Sequence, residues 1–199
     1  MLSRPPESEI ASPPRSGTPG RRSAGRVFTR PSQFLHCAFK SQAGSRDYRL
    51  FVPSCYAGRP LPLLVMLHGC KQTPEDFAAG TAMNEAAEAA GLLVAYPAQT
   101  KAANRMNCWN WFQVKHRNRG EGEPAIIAGI TREIMQRYAV DARRVYVAGL
   151  SAGGSMARVS IGALIGKQAL RITHNHQVNR YAPCISRSLT KLTDNSPCP

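Results

Sequence analysis

A chain of 199 residues, 43% of them apolar and 7% aromatic, has the length of one domain and enough apolar side chains for a packed core. Its formal charge of +14 is uneven: residues 1–31 hold six arginines against two glutamates, and residues 158–199 hold six basic side chains against one aspartate. Most of the excess therefore sits on the flanks, without basic runs interleaved with aromatics and without zinc-finger spacing, which excludes a dedicated nucleic-acid module and leaves nonspecific attraction to anionic surfaces.

Residues 1–31 are rich in Pro, Ser, Gly and Arg and poor in large apolar side chains. Such a segment buries too little surface to offset chain entropy and is expected to be a disordered basic arm. It contains no apolar core ahead of a small-residue cleavage site, so it does not read as a secretory leader. From about Ser32 the pattern changes. Residues 48–53 (YRLFVP) read as a strand, and 61–67 (LPLLVML) as a strand buried on both faces. That second run is also the longest apolar stretch, far too short to span a bilayer. Residues 81–91 (TAMNEAAEAAG) suit a helix stopped by a glycine, and 92–97 (LLVAYP) a further strand. A loop follows to about Gly122. Residues 123–138 then show helical apolar spacing with Pro124 in the first turn, and 144–149 (RVYVAG) form another strand. This alternation predicts an α/β domain with a mainly parallel sheet, whose sites collect beyond the carboxyl ends of the strands. Those ends are His68–Cys70, the residues from Pro97 onward, and Ser151.

Gly149-Leu150-Ser151-Ala152-Gly153 fits G-x-S-x-G directly after an apolar strand and before small residues that suit a close-packed helix. The pattern fits a nucleophile elbow, where the turn is too tight for side chains at the flanking positions. Acyl transfer builds a negative oxygen that needs backbone N–H donors. Ala152, the residue after the serine, is one candidate donor, and Cys70, freed by Gly69 to approach, is the other. His68 precedes the elbow in the chain and reads better as a hydrogen-bonded brace for this loop than as a catalytic base. In NCWNWF, Trp109 and Trp111 are read either as an aromatic wall for an ester substrate or as a loop anchor. No metal or cofactor is called for, because the six cysteines form no C-x-x-C pair and show no ligand spacing.

The segments FVPSCYAGRPLPLLVMLHGCKQTPEDFAAGTAMNEAAEAAGLLVAYPAQ, CWNWF and RGEGEPAIIAGITREIMQRYAVDARRVYVAGLSAGG resemble the poly(3-hydroxybutyrate) depolymerase family of esterases, within the α/β-hydrolases. The similarity is nearly continuous from about Ser32 to Ala157. It implies an α/β-hydrolase sheet with flanking helices and hydrolysis of short-chain 3-hydroxyalkanoate polymers or oligomers by a Ser-His-Asp triad, with feruloyl or acetyl esters of plant polysaccharides as the alternative substrates. Position by position it assigns Ser151 as nucleophile, Cys70 and Ala152 as oxyanion donors, and His68 and Gly69 as loop support. The family is commonly secreted, which implies an extracellular location; a cytoplasmic one is the alternative. Cys70 and Cys108 follow strands expected to be sheet neighbours, and are read either as a disulfide or as two free thiols.

After Ala157 the resemblance stops, and residues 158–199 are expected to be a divergent basic tail on a domain incomplete at its C-terminal end. The triad Asp and His are not recognisable there. His174 and His176 are substitute bases and Asp194 a substitute acid, but both histidines precede the aspartate, against the usual chain order. His174-x-His176 as a metal pair lacks a third ligand. A serine esterase with impaired turnover is the leading reading, and a non-catalytic protein binding acyl polymer or a partner is the other.

Overall fold

The structure is a computed structural model, and it describes residues 30–116 and 120–160. Strand β1 (Gln33–Ser41) turns back into β2 (Gly44–Val52), and β3 (Leu61–Leu67) leads through helices α1 (Pro74–Thr81) and α2 (Met83–Ala90) to β4 (Leu93–Pro97). A loop ending in a short 3-10 turn (Val114–His116) precedes helix α3 (Gly122–Arg137), strand β5 (Val140–Gly149) and helix α4 (Ala152–Ser160). The five strands form one sheet in the order β1-β2-β4-β3-β5. β4, β3 and β5 are parallel neighbours, while β1–β2 and β2–β4 pair antiparallel. Four of the five strands thus point the same way, and only β2 runs against them.

The continuous apolar run of β3 has a simple cause. Leu63, Val65 and Leu67 pack into a core shared with Ile126, Ile127, Ile130 and Ile134 of α3 and Met156 and Ala157 of α4. Leu64 and Met66 face the opposite way, against Phe77 and Ala78 of α1 and Met83 and Ala87 of α2. Both faces of the parallel strands are covered, so neither can be polar. The chain passes from β4 across β3 to reach β5, which makes the end of β3 the switch point of the sheet.

Several boundaries differ from the sequence expectation. The first strand begins at Gly44 rather than Tyr48, and β1 is an additional strand whose residues alternate between exposed and half-buried. The expected helix over 81–91 is α2, and α1 ahead of it is an additional helix. Thr73 and Asp76 form a reciprocal capping box that starts α1, and Ala82 at φ 49° breaks the path before α2, which Gly91 at φ 61° then stops. The last strand starts at Val140 rather than Arg144.

Leu63 is fully buried at the centre of the larger core. Leu63→Ala should lower stability by roughly 2–5 kcal/mol through lost burial and an unfilled cavity. Urea titration should show a lower midpoint with an unchanged slope.

Candidate active site

Ser151 sits between β5 and α4 with φ 53°, in the left-handed region, and its side chain is exposed. A non-glycine residue held there costs of order 1–3 kcal/mol and persists only where surrounding contacts over-determine it. Three contacts do so. The Leu150 N–H donates to the Leu67 carbonyl at 3.0 Å, the Gly153 N–H to the Leu150 carbonyl at 2.8 Å, and the Ser155 N–H to the Ser151 carbonyl at 3.1 Å. The glycines are required by space. A Cβ on Gly149 would collide with the Gly153 backbone, and one on Gly153 would collide with the carbonyl oxygens of Leu67 and His68.

The end of β3 lies against this elbow, since Leu67 pairs with Gly149. The His68-Gly69-Cys70 loop leaves from that point. Its shape is set by the Gly69 N–H bonded to Gln72 Oε1 at 2.8 Å, by Lys71 at φ 64° with its N–H on the Met106 carbonyl at 2.7 Å, and by a disulfide joining Cys70 to Cys108, whose Cα atoms are 4.3 Å apart. The N–H groups of Cys70 and Ala152 have no hydrogen-bond partner among the described residues. Two unspent backbone donors therefore flank the turn that carries the serine, one from each of two adjacent strand ends.

His68 is buried and both ring nitrogens are engaged. The Gln99 N–H donates to Nε2 at 3.0 Å, so Nδ1 carries the proton, 2.7 Å from the Gly69 carbonyl. Burial pushes its pKa below the ordinary value. An imidazole already accepting at Nε2 is not free to take the serine's proton, so this histidine braces the loop. Trp109 is 1% exposed, and its indole donates to the His68 carbonyl at 3.1 Å. It is a loop anchor and not the substrate wall that the sequence also allowed, because a fully buried ring has no face left for an ester. Trp111 is different, at 39% exposure, with its ring edge-on to the exposed Phe112 at 5.9 Å.

The sequence reading missed the polar groups behind this loop. Gln99 follows β4 and reaches the Cys108 carbonyl, and buried Glu123 in the first turn of α3 accepts from Asn110 and Gln99 with Arg46 beside it. Their only sequence signal was position, after a strand end and at a helix start. The other described histidines do not serve the serine. His36 lies on β1, at the opposite edge of the sheet, 3.7 Å from Asp47, and buried His116 uses Nδ1 to accept the Glu123 N–H at 2.9 Å. Among the described residues there is no group of His, Cys, Asp or Glu that could hold a metal ion. His174, His176 and Asp194 lie outside the described residues, as does nearly all of the expected N-terminal arm.

A mainly parallel sheet with helices on both faces, a serine elbow at the end of β5 and a glycine-containing loop at the end of β3 together define an α/β-hydrolase-type fold. The chain belongs to the esterase PHB depolymerase family, whose family model matches residues 46–167. It is 35% identical over 123 residues to a poly(3-hydroxyalkanoate) depolymerase C of Paucimonas lemoignei, covering 61% of this chain and 29% of that one. It is 33% identical over 110 residues to a feruloyl esterase B of Neurospora crassa, covering 55% and 36%. The chain thus spans about a third of the length of these relatives. Among solved structures, an acetyl xylan esterase from Aspergillus awamori shares the fold with a TM-score of 0.63 at 19% identity, over 75% of this chain and 54% of that one.

Two outcomes test this geometry. Gly153→Ala, which drives a methyl group into fixed backbone oxygens, should cost at least the upper end of the roughly 1–3 kcal/mol typical of overpacking, read as a fall in the urea midpoint. The unfolded imidazole of His68 takes up a proton as pH falls below about 6.5, whereas the buried one resists it. Stability should therefore fall as pH is lowered from 7 towards 5, with buried His116, also pushed down, acting in the same direction. His68→Asn should flatten that slope in denaturation measured at both pH values.

Proposed function

We propose that this chain supplies the nucleophile and oxyanion hole of a serine carboxylic-ester hydrolase acting on short-chain 3-hydroxyalkanoate polymers or oligomers. The observation that supports the reading is Ser151 held at positive φ at the end of β5, with the Cys70 and Ala152 N–H groups, at adjacent strand ends, unpartnered among the described residues. In the proposed reaction Ser151 Oγ attacks the ester carbonyl carbon, the negative oxygen is held by those two N–H groups, and the alcohol leaves to give an acyl-serine. Water then releases the acid by the same route. The exposed ring pair Trp111 and Phe112, on the loop pinned to Cys70 through Cys108, supports an apolar wall for the acyl chain. The disulfide favours an oxidising, extracellular compartment. No helix among the described residues is long and apolar enough to cross a membrane.

A serine hydroxyl is a weak nucleophile until a neighbouring base accepts its proton, and none of the described histidines is placed to do this. That observation favours a second reading, in which the chain alone binds acyl polymer or a partner without turning it over. The similarity to feruloyl and acetylxylan esterases supports feruloyl or acetyl esters of polysaccharides as alternative substrates, so a panel of nitrophenyl butyrate, feruloyl and acetyl esters distinguishes them.

The 199-residue chain should turn over nitrophenyl butyrate at no more than the roughly 10³–10⁴-fold advantage over water that binding and an oxyanion hole provide alone. A fluorophosphonate probe should label Ser151 slowly, and Ser151→Ala should abolish the label. Robust turnover lost in Ser151→Ala and in His174→Ala or His176→Ala would place a working base in residues 158–199. Robust turnover that survives Ser151→Ala would sink the proposal.

A further inference from the structure

One carboxylate stands behind the whole oxyanion loop without touching it. Glu123, the second residue of α3, is 3% exposed. Its Oε2 accepts the Asn110 N–H at 2.8 Å, and its Oε1 accepts Asn110 Nδ2 at 2.8 Å and Gln99 Nε2 at 2.5 Å, with Arg46 Nη2 at 3.6 Å. Every partner is a donor, as an ionised carboxylate requires. A buried charge is tolerated only when paired and hydrogen-bonded. Arg46 and the first turn of a helix, where the dipole favours negative charge, meet that demand.

Two of these donors, Gln99 and Asn110, lead back towards Cys70. Gln99 spans from Glu123 to the Cys108 carbonyl at 3.0 Å with its side-chain amide, and its backbone N–H fixes His68 Nε2. Cys108 is bonded to Cys70, and His68 Nδ1 reaches the Gly69 carbonyl, the residue before it. Asn110 follows Trp109, whose indole holds the His68 carbonyl. The two supports of the Cys70 peptide, the imidazole on one side and the disulfide on the other, therefore meet at a single carboxylate near the start of α3. Glu123 and the Cys108 carbonyl hold the Gln99 side chain and so set where its backbone N–H points, and that N–H, which can only donate, selects one histidine tautomer.

We propose that Glu123 is a positioning residue of the oxyanion hole: through Gln99 and Asn110 it locks His68 in its Nδ1–H tautomer and aims the Cys70 N–H at the acyl oxygen. The second half rests on the esterase reading above; the first does not.

The test compares the full chain with Glu123→Gln and Gln99→Leu. Glu123→Gln puts an amide donor among donors, and Gln99→Leu cuts the link while leaving the carboxylate with Asn110 and Arg46. Nitrogen-15 spectra of the imidazoles should show a single Nδ1–H tautomer for His68 in the wild type and exchange between tautomers in both variants. The maximal rate of Ser151 phosphonylation should fall roughly ten- to a hundredfold, less than the 10²–10³ typical of removing a donor outright, with the half-saturating probe concentration unchanged. If Glu123→Gln does not fold, Gln99→Leu decides. Folded variants that keep the wild-type His68 tautomer overturn the proposal, whatever the labelling. A changed tautomer with an unchanged labelling rate overturns its oxyanion half. If the wild type itself is not labelled, the esterase reading fails, and the His68 spectra still judge the role of Glu123.

Discussion

The approach of α4 to the end of β3 is the tightest backbone contact at any glycine among the described residues. Gly153 leaves no room for a β-carbon between its own Cα and the carbonyl oxygens of Leu67 and His68, and Leu150 donates to that same Leu67 carbonyl. The elbow is thereby welded to the strand that carries the His68-Gly69-Cys70 loop. Ser151 can stay at φ 53° because the residues on either side of it are already fixed by β3. Strain at the serine and placement of the Cys70 loop are therefore two consequences of one contact, and the sheet order, with β3 beside β5, is what makes that contact available.

Around this weld the protein places polar groups where a purely apolar core would be cheaper to build. His68 is neutral and fully engaged, Trp109 is buried with its indole satisfied, and the Gln99, Asn110 and Glu123 set is buried with its donors and acceptors matched. The matched bonds among Gln99, Asn110 and Glu123 give the loop one arrangement rather than several, a property useful to the proposed backbone donors, which must be aimed before the reaction begins.

What the sequence revealed follows from how local each signal was. The run LPLLVML could be read because both faces of β3 are covered, and the elbow because Gly149 and Gly153 are needed within a five-residue window. Strand β1 was not legible: it lies at the sheet edge, and its half-buried positions include Cys37 and Phe39 among exposed polar ones. The break at Ala82 was hidden because alanine gives no hint of a left-handed turn. Trp109 and Trp111, two residues apart, could not be told apart in sequence; the carbonyl that satisfies one indole belongs to a residue 41 positions away. Glu123 was invisible for the same reason, since Arg46, Gln99 and Asn110 reach it only once the sheet has formed.

In the proposed esterase the Cys70 and Ala152 N–H groups converge on the position an acyl oxygen takes when bound to Ser151. A crystal structure of the chain after phosphonylation with a butyl fluorophosphonate measures this directly. The phosphonyl group should sit on Ser151 Oγ, with one of its oxygens about 2.7–3.1 Å from both nitrogens. A phosphonyl oxygen bonded to only one of them, or turned out to solvent with the Cys70 N–H pointing elsewhere, would contradict it.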